Sequence, residues 1–173
     1  MDKSARLNAL SDRLADHVLA HGLAASSLRP LARAAGTSDR MLLYYFADKD
    51  AVIAAALARI AARMLALLDS AAPPQPLAPA ALRDHLAPLL GDPGVQPFMR
   101  VWLDMAAHAA QGDTAIRAIG GQIGAGFLDW LGRHLDVDDA IRAGEAARLL
   151  IEIEGTVLLA SLGMDAAIAA ARG

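Results

Sequence analysis

Cysteine is absent from the 173 residues. That removes disulfides, thiolate nucleophiles and cysteine-based zinc or iron–sulfur sites. Lysine is nearly absent: Lys3 and Lys49 stand against fourteen arginines. Aromatic residues make up 4%, and the β-branched residues that favour strands are sparse. No window of 18 residues lacks a charge, because the most apolar stretches carry Arg59 and Arg63 or Glu152 and Glu154. This argues against a membrane-spanning helix. The start, Met1-Asp2-Lys3-Ser4-Ala5-Arg6, runs into an amphipathic pattern rather than the apolar core of a signal peptide. The cytoplasm is therefore the expected location, with no membrane partner.

What is present is alanine and leucine, 41 and 27 residues respectively, within a 55% hydrophobic composition. Alanine is the best helix former and leucine is close behind, so an all-α fold is expected. Alanine fills little volume; such helices must pack closely or share apolar faces with another subunit. The length suits one or at most two domains. The formal net charge of −3 is unevenly spread. Residues 1–50 hold seven Lys/Arg and six Asp, whereas residues 51–173 hold nine Arg and thirteen Asp/Glu.

Apolar spacing and punctuation predict the helices. Leu7, Leu10, Leu14 and Val18 mark one face of a helix over residues 5–21, closed by Gly22. Ser26-Ser27 offers an N-cap to a short helix bearing Leu28, Leu31, Ala32 and Ala35, and Pro30 falls in its first turn, where a missing N–H costs little. Gly36 ends it. Ser38 caps a third helix with Leu42 and Phe46 inward, and Asp48 caps a long fourth with Ile53, Leu57, Ile60 and Met64. The run Ala72-Pro73-Pro74-Gln75-Pro76 through Pro79 breaks the chain. Further helices are predicted near 79–90, 95–110, 113–135 and 138–162, with a short one near 165–171. No repeat of fixed period is evident, which disfavours a solenoid.

Between residues 27 and 49, two short helices meet at a tight turn containing Gly36. Small Ala32 faces the close approach, and the second helix points Leu42 and Phe46 inward and its polar groups outward. That arrangement describes a helix-turn-helix, whose second helix enters the DNA major groove. The run Leu31-Ala32-Arg33-Ala34-Ala35-Gly36-Thr37-Ser38, followed by Leu42, Tyr44-Tyr45-Phe46 and Lys49, resembles the DNA-binding domain of the tetracycline-repressor (TetR) family. The resemblance covers about residues 5–65. It implies a DNA-binding domain over 1–48, linked by a long fourth helix to a helical effector-binding and dimerisation domain over 49–173.

Ser27, Thr37 and Ser38 then carry hydroxyls and helix-start N–H groups suited to phosphate oxygens. The resemblance places Tyr44, Tyr45 and Lys49 on the DNA backbone, and Arg29 on a phosphate or base edge. Base readout falls to Asp39, Arg40 and Met41: an arginine fork suits guanine O6 and N7, a carboxylate cytosine N4, a methionine a thymine methyl. Arg40 reaches either a guanine or a phosphate, and Asp39 either a base or only the positive end of its own helix. Arg40 stands where the family often has a small residue, Leu43 where a tyrosine is frequent, Pro30 where an acidic residue is common and Ala47 where proline is common. The operator sequence therefore does not carry over from a relative.

For the remaining chain the family implies a small-molecule pocket and a homodimer built from the last two long helices. Met64, Phe98, Trp102, Met105, Phe127 and Trp130 are the pocket candidates, with ordinary core packing as the competing role and an apolar or aromatic effector as the expected occupant. Asp104, His108 and Glu154 offer polar orientation. Dimer-interface candidates are Gly120, Ile123, Gly124, Leu149, Leu150, Ile153, Val157 and Leu158. The glycines suit either close helix approach or a kink or loop around 120–126. His17/His21 and Asp104/His108 have i, i+4 spacing but no third ligand in sight, so neither metal nor other cofactor is expected. No HExxH, ExxH pair or Gly-x-Ser-x-Gly motif is present, which disfavours an enzyme. The remaining alternative is a helix-turn-helix protein adaptor that binds no DNA. The function expected is a ligand-released repressor on a palindromic double-stranded operator.

Overall fold

The computed structural model describes residues 3–172. The helices are α1 (Lys3–His21), α2 (Leu28–Ala34), α3 (Asp39–Tyr45), α4 (Lys49–Ser70), α5 (Pro79–Leu90), α6 (Gln96–Ala110), α7 (Thr114–His134), α8 (Asp139–Ser161) and α9 (Asp165–Arg172). The all-α expectation holds among the described residues, and the predicted helix limits agree to within a few residues. The chain divides into two compact units, one of Met1–Leu67 with Pro97–Ile123, the other of Leu68–Gln96 with Gly124–Gly173.

The first unit closes on a core in which Leu14, Val18, Leu31, Leu42, Val52 and Leu57 are fully buried. Val101 and Met105 of α6 and Ile116 of α7 join the same cluster. Its turns are fixed by backbone chemistry. Gly22 takes φ +76° and donates its N–H to Val18 O at 2.8 Å, a left-handed helix end that glycine adopts without strain. After α2, Gly36 at φ +67° donates to Arg33 O, and Thr37 N donates to Ala32 O at 2.9 Å. This pair of bonds is a Schellman ending. Arg13 Nη1 of α1 donates to Ala35 O at 2.9 Å, and a Cβ on Gly36 would lie 2.9 Å from that nitrogen. The expected cap at Ser26-Ser27 is realised differently: Ser27 occupies the N-cap position without a side-chain bond, while buried Ser26 donates its hydroxyl to Gly22 O at 2.7 Å.

An ionic clamp joins α1 to α4. Arg59 grips Asp12 with Nε and Nη2 at 2.6 and 3.0 Å, and Arg63 reaches Asp12 at 2.7 Å and Asp16 at 2.6 Å. The two arginines hold the Asp12 carboxyl below the usual carboxylate range, chiefly through hydrogen bonds from Arg59 and then Arg63. By length and hydropathy α4 could cross a membrane. Its apolar stripe, Val52, Ile53, Ala56, Leu57 and Ile60, is instead buried in the core of the first unit.

The second unit is built around Trp130, whose ring is fully buried. Its indole N–H donates to Asp69 Oδ1 at 2.8 Å, and His134 stacks on it with ring centroids 4.0 Å apart. The proline-rich segment is pinned. Leu77 N donates to His134 O at 2.9 Å, and Asp136 N to Leu77 O at 2.8 Å, forming an isolated bridge between Leu77 and Leu135. The Arg142 guanidinium donates to the carbonyls of Gly132, Leu135 and Val137, which closes the C-terminal end of α7. α7 itself is continuous through Gly120, Gly121, Gly124 and Gly126, so no loop interrupts it there.

Two outcomes follow. Gly36→Ala forces an L residue into the left-handed region against Arg13; urea unfolding is expected to show a loss of about 1–2 kcal/mol. The Asp12 contribution is fully present above its unfolded pKa of about 3.9 and is lost as pH falls through the lower folded value. The stability difference between wild type and Asp12→Asn, about 1 kcal/mol or less for so exposed a pair, is expected to be flat from neutral pH downward. It should then shrink below about pH 4.

Candidate nucleic-acid interface

The site is assembled on α2, α3 and the first turn of α4. Ser38 caps α3: its Oγ accepts the Met41 N–H at 3.2 Å, and its backbone carbonyl receives Leu42 N at 2.8 Å. Asp48 Oδ1 caps α4 by accepting Ala51 N–H at 2.7 Å. These caps set the phase of α3. Leu42 is fully buried, and Asp39, Arg40, Met41, Leu43 and Tyr44 face outward. An apolar Met41 at 39% exposure and Leu43 at 41% on a seven-residue helix are surfaces that folding alone does not require.

Tyr44 is 73% exposed and meets half-buried Tyr45 edge to face at 5.3 Å. Arg6 lies 5.8 Å from the Tyr45 ring centroid, a cation–π contact that orients the ring from α1. Ser27, Arg29, Ser38, Arg40 and Lys49 are exposed, and Thr37 is half-buried. All ten predicted DNA-contact residues therefore lie on α2, α3 or the turns beside them, with Lys49 opening α4. Lys49 also edges a small cleft of about 70 Å³ with Ser26, Asp50, His108 and Asp113. Asp113 is a helix cap there, its Oδ1 accepting Ile116 N at 2.9 Å. Among the described residues no group of three or more His, Cys, Asp or Glu could hold a metal ion.

The effector and dimer candidates separate. Phe98, Trp102 and Met105 follow one another on α6 in the first unit, Met105 buried and the two aromatics half-buried against the core. Met64 is buried on α4. Phe127 and Trp130 belong to the second unit, where the satisfied indole and full burial of Trp130 make it a core residue. Asp104 accepts the Leu23 backbone N–H at 2.8 Å, so that oxygen is occupied within the chain.

On α8 the expected interface residues differ in exposure. Leu149 and Val157 are buried within this chain, and Leu150 and Ile153 are partly covered. Of the residues assigned to α8, Leu158 is the exposed one, at 49%. The opposite stripe runs through Gly144, Arg148, Ile151, Gly155, Leu158 and Leu162, with Ile151 72% exposed and Leu162 66%. No heavy atom lies within 4 Å of where a Cβ would sit on Gly144 or Gly155. Gly120 instead faces the Met105 side chain, and Ile123 packs against the first unit's core; Gly124 is half-buried. Sequence reasoning also missed Arg13 and Arg6, whose partners lie far away in the chain.

Residues 15–56 match the family described as bacterial regulatory proteins, tetR family. No curated protein matches the chain. Among solved structures, a transcriptional regulator from Rhodococcus sp. RHA1 is 25% identical, covering 92% of this chain and 85% of that one with a TM-score of 0.69. A TetR-like transcriptional regulator from Rhodococcus sp. RHA1 is 22% identical over 95% and 88% of the two chains, with a TM-score of 0.59. The multidrug binding protein EbrR, solved with imidazole, is 23% identical over 95% and 82%, with a TM-score of 0.64. Through residues 15–56, the helix-turn-helix region of this chain is similar to that of the tetR family of bacterial regulatory proteins, and its fold is shared with solved transcriptional regulators.

Proposed function

We propose that this DNA-binding regulator acts as a homodimeric repressor in the cytoplasm, holding a palindromic operator until a small apolar or aromatic effector releases it. Residues 1–48 form the reading head and the rest of the chain the effector and dimerisation body. The observation that carries the DNA-binding part is α3. One face is anchored by Leu42 in the core, while the other presents Arg40, Met41 and Tyr44 to solvent. Arg40 supplies base readout through its guanidinium fork, and Asp39 and Met41 flank it. Ser27, Arg29, Thr37, Ser38, Tyr44, Tyr45 and Lys49 supply backbone contacts that set register.

A second copy accounts for the apolar stripe of α8. Ile151, Leu158 and Leu162 are large and exposed on one helix face, and the two glycines allow a partner helix to come close. Isologous pairing repeats the same stripe on both subunits. Two-fold symmetry then places two recognition helices in successive major grooves, roughly 34–36 Å apart for one-turn spacing. The effector surface is drawn from Phe98, Trp102 and Met105 on α6, with Met64. The multidrug binding function named for EbrR accords with a ligand-responsive role on this fold. An effector lowers operator affinity only by as much as it prefers the non-binding conformer.

Selection of bound sequences from random DNA by the purified chain tests the reading: a palindromic consensus supports it, and no enrichment points to a protein adaptor. On the selected site, Arg40→Ala should cost about 1–3 kcal/mol and relax discrimination at one base position. Lys49→Ala should weaken all sequences alike and reduce the salt slope by about one. Identical profiles for the two variants across operator mutants would rule out this division of roles. Ile151→Glu should shift sedimentation from dimer to monomer while leaving the helical circular dichroism intact.

A further inference from the structure

The six residues between α1 and α2 pair several of their polar groups close by in the chain. Gly22 N–H goes to Val18 O, Ser26 N–H to Leu23 O, and the Ser26 hydroxyl to Gly22 O. The Leu23 N–H has no acceptor in the turn. It is taken by the Asp104 carboxylate of α6, 81 residues away, at 2.8 Å. A Cβ on Gly22 would stand 3.2 Å from the same Oδ2 atom, so the absence of a side chain there admits the carboxylate. Around it Val18 and Val101 are buried and Leu23 packs against the core. The bond is thus partly shielded, and a bond from an N–H to an ionised acceptor is stronger than a neutral one.

We propose that Asp104 is a positioning residue for DNA binding: it locks the α1–α2 turn, and through it the start of α2, in the orientation that the helix-turn-helix needs on the operator. From Leu23 the turn leads within five residues to Ser27 and Leu28, where α2 begins. α2 in turn packs on α3. Removing the acceptor leaves a part-buried N–H unsatisfied and frees the turn to shift, carrying Ser27 and Arg29 with it. The core beneath, centred on Leu14, Leu31 and Leu42, does not depend on the carboxylate, so the fold survives its loss. This role rests on the DNA-binding reading above and adds to it a residue that touches no DNA.

The test uses the full chain and three variants. Asp104→Asn keeps an acceptor oxygen, Asp104→Ala removes it, and Asp104→Leu removes it without opening a void, should alanine unfold the protein. Hydrogen exchange of the Leu23 amide reads the bond directly, and binding to the sequence selected by the wild-type chain reads its consequence. Asp104→Ala and Asp104→Leu are expected to speed Leu23 exchange about tenfold and to raise the operator Kd about tenfold. The salt slope should fall by no more than about one, because Arg29 is the one cationic contact that the turn carries with it. Asp104→Asn should stay within about threefold of wild type in both measurements, since it retains an acceptor. Unchanged Leu23 exchange in Asp104→Leu, or faster exchange with unchanged operator Kd, overturns the proposal. A wild-type chain that enriches no DNA overturns the DNA-binding reading itself and is recognised before any variant is compared.

Discussion

Seven residues make too short a helix to persist in water alone, so α3 depends on the burial of Leu42. That side chain is fully enclosed in a cluster shared with Leu14 and Val18 of α1, Leu31 of α2, and Val52 and Leu57 of α4. Burying a leucine of this kind contributes about 1.5–3 kcal/mol, more than the Ser38 cap supplies. The phase of the helix follows from it. With Leu42 inward, Arg40, Met41, Leu43 and Tyr44 have no course but outward, and the exposed surface of α3 is the complement of the surface used for folding. The Gly36 turn and the Arg13 bond to Ala35 O then fix the angle at which α2 delivers α3.

The arginines divide by function according to their surroundings. Arg13, Arg59 and Arg63 are committed within the first unit: one satisfies a helix-end carbonyl, and two neutralise Asp12 and Asp16 across α1 and α4. Arg29, Arg33, Arg40 and Lys49 remain exposed around α2, α3 and the start of α4. Asp39, Asp48 and Asp50 are exposed on the same elements, so the four cations stand in a surface of mixed charge. The wide guanidinium fork suits the committed ones, because it grips a carboxylate with two N–H groups.

The long helices of the second unit show where periodicity falls short. In α8, Leu149, Leu150, Ile151, Ile153, Val157, Leu158 and Leu159 leave few polar residues to mark an outer face. A spacing rule finds an apolar stripe but cannot choose between two of them. The stripe through Leu149 and Val157 is turned to this chain's own core, and the one through Ile151, Leu158 and Leu162 is left open. The choice depends on where α5 lies, since it packs against α8, and nothing within α8 records that. The proline run before α5 shows the same limit. Its residues announce a break, but its pairing with the end of α7 through Leu77 and Leu135 is a long-range matter.

Helix starts and stops, the helix-turn-helix and its exposed residues were legible in the sequence, because each is governed by chemistry within four or five residues. Ser38 reaches Met41, Gly36 accommodates a positive φ, Asp48 reaches Ala51, and Leu42 falls in register with Phe46. The tertiary structure decided what lies beyond that range. It gave Asp104 to Leu23, Arg13 to Ala35, and Asp69 to the Trp130 indole. It also decided which face of α8 is free. Such pairings satisfy polar groups and fill volume between segments separated by tens of residues, and only the completed packing brings those segments together.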